Sequence, residues 1–303
     1  MERAQTKFKL FAGCVITNRL PFIEKSARLA FNKLNVILEN EAFTCCPDPV
    51  GITAISEKAW LTLAARNLAL GEKDDMEILS LCNGCTETLL VAKDTLKHDK
   101  NQFREINGIL EKKGYNYQGT AKVIHFVQYL KDNIGIKKIE EIVKQTWENN
   151  KEGENPVKGL KIAAHPGCHY NRPSNILKWD DPDDPQHLEE LIRAIGGVPV
   201  QYEEKTLCCG SAVMRTKEDV GLELSRKKYQ NVTDEGAEIL AVNCPTCYQT
   251  LEANQRRVNK KFQRDFNIPV FYITELMALA FGYTPDEIGI KFHAVSDNSK
   301  LFF

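Results

Sequence analysis

No apolar run in this 303-residue sequence approaches the roughly 20 residues that a membrane-spanning helix needs. Neither sign of charge dominates, since 40 lysines and arginines stand against 41 acidic residues, a formal net charge of −1. That balance offers no electrostatic footprint for nucleic acid or for an anionic membrane surface. The opening stretch, Met1 to Lys7, leads into a short apolar run without the long hydrophobic region of an export signal, so a cytoplasmic location is expected. No Gly-x-Gly-x-x-Gly follows a strand-like run to suggest a dinucleotide site. The Cys-x-x-Cys-x-x-Cys-x-x-x-Cys-Pro run that binds clusters in small ferredoxins is also missing.

Cysteine is plentiful instead. Ten cysteines in a chain long enough to bury its own core, with no export signal, point to metal rather than to disulfides. They fall into two sets with one internal order. The first is Cys14, 30 residues, Cys45-Cys46, 35 residues, Cys82-Asn83-Gly84-Cys85. The second is Cys168, 39 residues, Cys208-Cys209, 34 residues, Cys244-Pro245-Thr246-Cys247. A single cysteine, an adjacent pair and a C-x-x-C in the same order twice mark an internal repeat.

The flanking residues repeat as well. Lys9 to Cys14 mirrors Lys161 to Cys168, Glu77 to Cys82 mirrors Glu238 to Cys244, and Val123 to Leu130 mirrors Val270 to Met277. An Asn-Arg pair follows the first cysteine of each set, as Asn18-Arg19 and Asn171-Arg172. The polar, helix-breaking stretch 148–156 reads as a linker, which gives domains at 1–150 and 156–303. Short apolar runs alternate with helical periodicity at Leu61–Leu70, Ile139–Trp147, Leu188–Ile195 and Leu222–Val232. The expected fold is α/β: two similar tandem domains, each a small, mostly parallel sheet flanked by helices, related by a pseudo-twofold duplication. The first cysteine and the C-x-x-C of each set then stand at the carboxyl ends of strands, the edge where such sheets build sites.

A C-x-x-C just after a strand puts two sulfurs on the first turn of a helix, where backbone N–H groups and the helix dipole favour thiolate. The adjacent pair adds two more from a tight turn, followed by Pro47 in one copy and Gly210 in the other. Structural zinc takes four ligands and would leave one cysteine of each set idle. Vicinal cysteines join only in a strained ring, which disfavours disulfides. An isolated C-x-x-C would suggest a redox dithiol, but here it is part of a larger set.

This pattern resembles the cysteine-rich CCG domain family, whose motif is carried by Cys208-Cys209-Gly210, with Pro47 departing from it in the first copy. Two complete copies covering roughly Phe8 to Gly282 look like the B subunits of heterodisulfide reductases. The resemblance implies two non-cubane 4Fe-4S clusters. Cys14, Cys45, Cys46, Cys82 and Cys85 would hold one, and Cys168, Cys208, Cys209, Cys244 and Cys247 the other. It implies reduction of the coenzyme M–coenzyme B heterodisulfide to its two thiols by cleavage between those clusters, with no catalytic residue beyond them. It further implies a ferredoxin-like C subunit and a flavin-containing A subunit as partners, with hydrogenase or formate dehydrogenase modules in a larger complex. The other member type this pattern fits is the CCG electron-transfer subunit of lactate-, glycolate- or succinate-type oxidoreductases.

Two further groups of residues follow from the chemistry of that substrate. Its sulfonate, carboxylate and phosphate groups call for cations, and Arg19, Arg172 and Arg215 are the candidates, since guanidinium matches oxyanions bidentately. His165 and His169 flank Cys168 as candidate proton donors, or as groups that only orient the loop. The run Asp180 to Pro185 reads as a solvated loop or partner contact, and Tyr272, Leu276 and Leu279 as core.

Overall fold

A computed structural model describes residues 5–148, 150 and 153–293. The two central strands of each sheet are short runs of four to six residues that are buried over most of their length, the pattern of a covered parallel sheet. In the first half the strands are β1 (Thr6–Phe11), β2 (Val36–Glu39), β3 (Glu77–Ser80) and β4 (Val123–His125). They pair in the order β2-β1-β3-β4. In the second, β5 (Lys161–His165), β6 (Val198–Val200), β7 (Ile239–Val242) and β8 (Val270–Tyr272) pair as β6-β5-β7-β8. Every pairing is parallel, so the expected duplication of a helix-flanked sheet is what the chain forms.

Register gives the equivalence residue by residue. Phe11, Ser80 and His125 lie abreast in the first sheet, and His165, Val242 and Tyr272 in the second. Phe11 therefore corresponds to His165, and His125 to Tyr272. The four helices read from periodicity are present as Glu57–Gly71, Ile136–Glu148, His187–Ala194 and Glu218–Asp234. Ser56 caps the first of them, its hydroxyl accepting from Ala59 N at 3.2 Å. Among the described residues, no helix is long and apolar enough to cross a membrane.

The two halves are not beads on a string. Helix Pro21–Lys33 buries Phe22, Ile23, Ala27 and Phe31 and packs on Ile273–Ala280 of the other half, where Ser26 Oγ meets Thr274 Oγ1 at 2.9 Å. Trp147 Nε1 donates to Ala280 O at 2.7 Å, and the rings of Phe126 and Tyr272 stack 5.5 Å apart. One continuous apolar core includes residues from both sheets.

Candidate iron–sulfur site

Each strand end delivers its cysteines through a local device that is repeated. After β1 and β5 the chain turns at Gly13 (φ 78°) and Gly167 (φ 76°), values that glycine adopts without strain. A side chain would crowd both: a Cβ on Gly13 would lie 2.8 Å from Cys85 Sγ, and one on Gly167 would lie 2.8 Å from Asn83 Nδ2 and 3.3 Å from Cys247 Sγ. Cys82 and Cys244 are the N-caps of helices Asn83–His98 and Pro245–Ala253, so each C-x-x-C lies on a first helical turn as the spacing implied. The adjacent pairs are anchored from behind. Asn67 Nδ2 donates to Cys45 O at 3.0 Å, and Ser225 Oγ donates to Cys209 O at 2.9 Å.

The thiols gather into the two expected sets, and all ten are free. In the first, Cys14 and Cys45 stand 3.8 Å apart and are exposed, while Cys46, Cys82 and Cys85 are buried. Thiol donation from Cys45, then from Cys85, draws Cys46 down to about 5. In the second set Cys168 and Cys208 are half-buried, and Cys209, Cys244 and Cys247 are buried. Hydrogen bonds from Cys168 and Cys209 draw Cys208 down to about 2. The sets meet, because the Cys82 and Cys244 thiols face each other across the seam between the halves and shift each other's titration in opposite directions. Asn83, inside the first C-x-x-C, donates from Nδ2 to Pro166 O at 2.6 Å, just before the second set begins.

Polar atoms around the sulfurs are left without partners. Both ring nitrogens of His165, Asn83 Oδ1 and Asn243 Nδ2 are buried and unbonded. The ligating atoms of His165, Cys209 and Cys247 lie within 4.8 Å of one another. Burial holds the His165 imidazolium down to about 3, so the ring is neutral. Five convergent thiols per set, flanked by orphaned hydrogen-bonding atoms, fit a thiolate-bound iron–sulfur cluster in each half.

A cavity of about 100 Å³ opens on the seam, lined by Gly13, Cys14, Cys45, Cys46, Cys82 and Cys85 and closed from the second half by Arg215, Pro245 and Thr246. Arg215 Nη1 is bonded there to Asp48 Oδ2 at 2.6 Å, joining one half to the other. A larger hollow of about 580 Å³ exposes Cys14 and Cys45 on the outer side. Of the three arginines singled out from the sequence, Arg215 is the one lining the seam cavity among the described residues. Arg172 donates to Pro182 O at 3.3 Å, within the acidic loop, and Arg19 ends its helix in solvent. His169 is ion-paired with Glu87 of the first half, a partner that sequence reading missed. Burial lowers its proton affinity, but the Glu87 carboxylate wins and the pKa is raised. The acidic loop is largely self-satisfied, with Asp181 Oδ1 accepting from Asp183 N at 2.8 Å and Asp184 N at 3.1 Å.

Comparison with known proteins agrees with this geometry. The cysteine-rich domain CCG matches twice, over residues 8–89 and 162–252. The B subunit of the ferredoxin/F(420)H(2)-dependent CoB-CoM heterodisulfide reductase of Methanosarcina acetivorans is 33% identical over 294 residues, covering 96% of this chain and 94% of that protein. The "8-methylmenaquinol:fumarate reductase membrane anchor subunit" of Wolinella succinogenes is 28% identical, over 98% of this chain and 99% of its own length. A crystal structure of a hypothetical protein from Helicobacter pylori has the same fold, with a TM-score of 0.73 at 18% identity. That match takes in 97% of this chain but about half (52%) of the Helicobacter chain. With both cysteine sets complete and both matches in register with them, the chain belongs to the CCG cysteine-rich domain family, in the two-copy form of the heterodisulfide reductase B subunits.

Proposed function

We propose that this protein is an iron–sulfur oxidoreductase subunit that reduces the coenzyme M–coenzyme B heterodisulfide to its two thiols. The observation that carries the reading is the meeting of two complete five-thiol sets at one seam, with Cys82 against Cys244. Reduction of a disulfide takes two electrons and two protons and yields two thiols. Iron–sulfur clusters pass electrons singly, and two of them beside one cavity would supply the pair. The ten cysteines would hold them, and the fifth thiol of each set supports the non-cubane 4Fe-4S form.

The remaining roles belong to the chain's own side chains. Arg215, already facing the cavity, would exchange Asp48 for an anionic end of the substrate. Arg19 and Arg172 would serve anions that approach from outside. His169, held by Glu87, is the better placed proton donor of the two histidines, because His165 is enclosed and neutral. Electrons would arrive from a ferredoxin-like C subunit and a flavin-containing A subunit, with hydrogenase or formate dehydrogenase modules upstream, all in the cytoplasm.

The test is anaerobic isolation with metal analysis, then turnover with an artificial one-electron donor. About eight irons and eight sulfides per chain, with release of both thiols, is the expected result. Two zincs and no sulfide would sink the assignment. The Wolinella relative supports a second reading, an electron relay between a quinol and a separate catalytic subunit. Full iron content with no thiol release, but with reoxidation by a quinone, would favour it.

A further inference from the structure

Lys228 is completely buried, and no carboxylate lies within 4.0 Å of its ammonium among the described residues. Its Nζ donates to Glu204 O at 2.6 Å and Lys205 O at 3.0 Å, the two carbonyls at the foot of the segment that leads into Cys208. The third donor direction is flanked by the Tyr202 ring, with its centroid 4.9 Å away. Lys228 follows Ser225 by one turn on the same helix face, and Ser225 is the residue that holds Cys209 O. The ammonium thus lies beneath the vicinal pair, within electrostatic reach of Cys247, Cys209 and Cys208.

A buried charge without a counter-ion is costly, and structures avoid it unless something else supplies the opposite charge. The other two buried lysines among the described residues show the ordinary solution. Lys205 has Asp184 and Glu189 at 2.5 and 2.8 Å. Lys9 Nζ donates to Leu70 O at 2.8 Å and has Glu41 and Asp74 at 3.5 and 3.6 Å. Lys228 has carbonyls alone. The negative charges in reach of it are the thiolates of Cys247, Cys209 and Cys208 and the exposed Glu204 carboxylate; burial outweighs them and leaves its pKa lowered to about 7. The first half has no such cation among the described residues. There the pair is held by neutral Asn67, and the adjacent Arg66 is only half-buried, its guanidinium spread over Ala42 O at 3.1 Å, Asn67 Oδ1 at 3.4 Å and Tyr115 Oη at 2.9 Å.

We infer that Lys228 is the built-in counter-cation of the second cysteine set and holds up the reduction potential of the cluster bound there. This rests on the iron–sulfur reading above. Adding an electron makes a thiolate-bound cluster more negative, so a fixed cation favours the reduced form, and solvent exposure favours it as well. The first set has solvent through Cys14 and Cys45, and the second, more enclosed, has Lys228 instead. The two centres are kept close enough in potential for each to give one electron to a shared substrate.

Redox titration of the anaerobic full chain, followed by electron paramagnetic resonance and alongside iron analysis, tests this with Lys228→Met and Lys228→Arg. The Met variant should shift the reduction equilibrium of one centre toward oxidised on the order of tenfold, about 59 mV for one electron. The Arg variant, which keeps the charge, should shift it much less. An iron-replete Met variant that titrates like the wild type overturns the inference, as does an Arg variant that shifts as far as Met. If Met sheds iron from one centre and Arg retains it, the counter-charge role stands. If both shed it, Lys228 is a packing residue and the inference falls. Wild-type protein without iron and sulfide would instead defeat the underlying assignment.

Discussion

The two halves carry one thiol frame on two different beds. Gly13 and Gly167 turn the chain at nearly the same φ, and each C-x-x-C caps an equivalent helix. What surrounds the sulfur has diverged. Phe11 corresponds to His165, the first pair is held by Asn67 at Cys45 O and the second by Ser225 at Cys209 O with Lys228 behind it, and Pro47 stands opposite Gly210. The first set opens to solvent through two exposed cysteines, and the second is walled in and given polar and charged neighbours. Duplication preserved what metal ligation requires, positions of sulfur, and left free what tunes a centre, its charge and hydration.

The strongest way to break this comparison is to remove a vicinal cysteine from each half. Cys46→Ala and Cys209→Ala should each reduce disulfide cleavage to background while four thiols keep iron bound. The readout is thiol release with a one-electron donor, after iron and folding are confirmed. Substantial activity in one variant alone would mean that the halves are not equivalent partners in the chemistry.

A sharper contrast lies one residue further on. Gly210 has φ 95°, and a Cβ there would lie 2.3 Å from the backbone oxygen of Gly221. Gly210→Ala should cost on the order of 3 kcal/mol, because a left-handed backbone and a backbone clash add. Pro47→Gly should cost no more than about 1 kcal/mol, through the freedom gained by the unfolded chain. Urea midpoints of the anaerobic protein measure both, and equal losses would erase the distinction.

The gentlest test uses His125 and Tyr272, which occupy equivalent positions. Burial lowers His125 to about 3, while the unfolded ring titrates near 6.5. Between those values the unfolded chain takes the proton first. Stability therefore falls as pH drops below about 6.5, by up to about 1.4 kcal/mol per pH unit from this residue. His125→Phe should flatten that slope and leave stability above pH 7 little changed. Burial pushes the Tyr272 hydroxyl well above its usual range, so Tyr272→Phe should lower stability by about 1–2 kcal/mol without a slope in this window. An unaltered acid slope in His125→Phe would contradict the assignment.

The sequence displayed the frame plainly, because ligand spacing, strand runs and helical period are all local or repeated signals. Both sets, the alternation of short strands with helices and the burial of Tyr272, Leu276 and Leu279 were legible that way, though the edge strands Val36–Glu39 and Val198–Val200 were not. The seam was not. Asn83 with Pro166, Asp48 with Arg215 and Glu87 with His169 join residues more than 80 positions apart, and no single-chain pattern encodes such pairs. Lys228 was hidden for another reason. In a helix reading Ser225-Arg226-Lys227-Lys228 it looks like one more solvated charge, and only the packing shows which of the three cations is inside.

Tyr272 has a consequence for how such a chain could have arisen. Its hydroxyl lies between Leu81 O and Asn243 O and shares its one proton with them, the carbonyls immediately before the two C-x-x-C motifs. A group shared by two equivalent carbonyls bridges the halves at the seam, with the Phe126 ring stacked on it at 5.5 Å. In a homodimer of a single repeat, both copies would bring the same residue to that point, and two tyrosines would collide. The equivalent position here is His125, which turns aside toward Tyr170 and Trp179, with ring centroids 5.1 and 6.5 Å away. A single chain can carry unlike residues at two equivalent positions, which a symmetric dimer of identical repeats cannot. A protein reassembled from two copies of the second half should accordingly fail to pair.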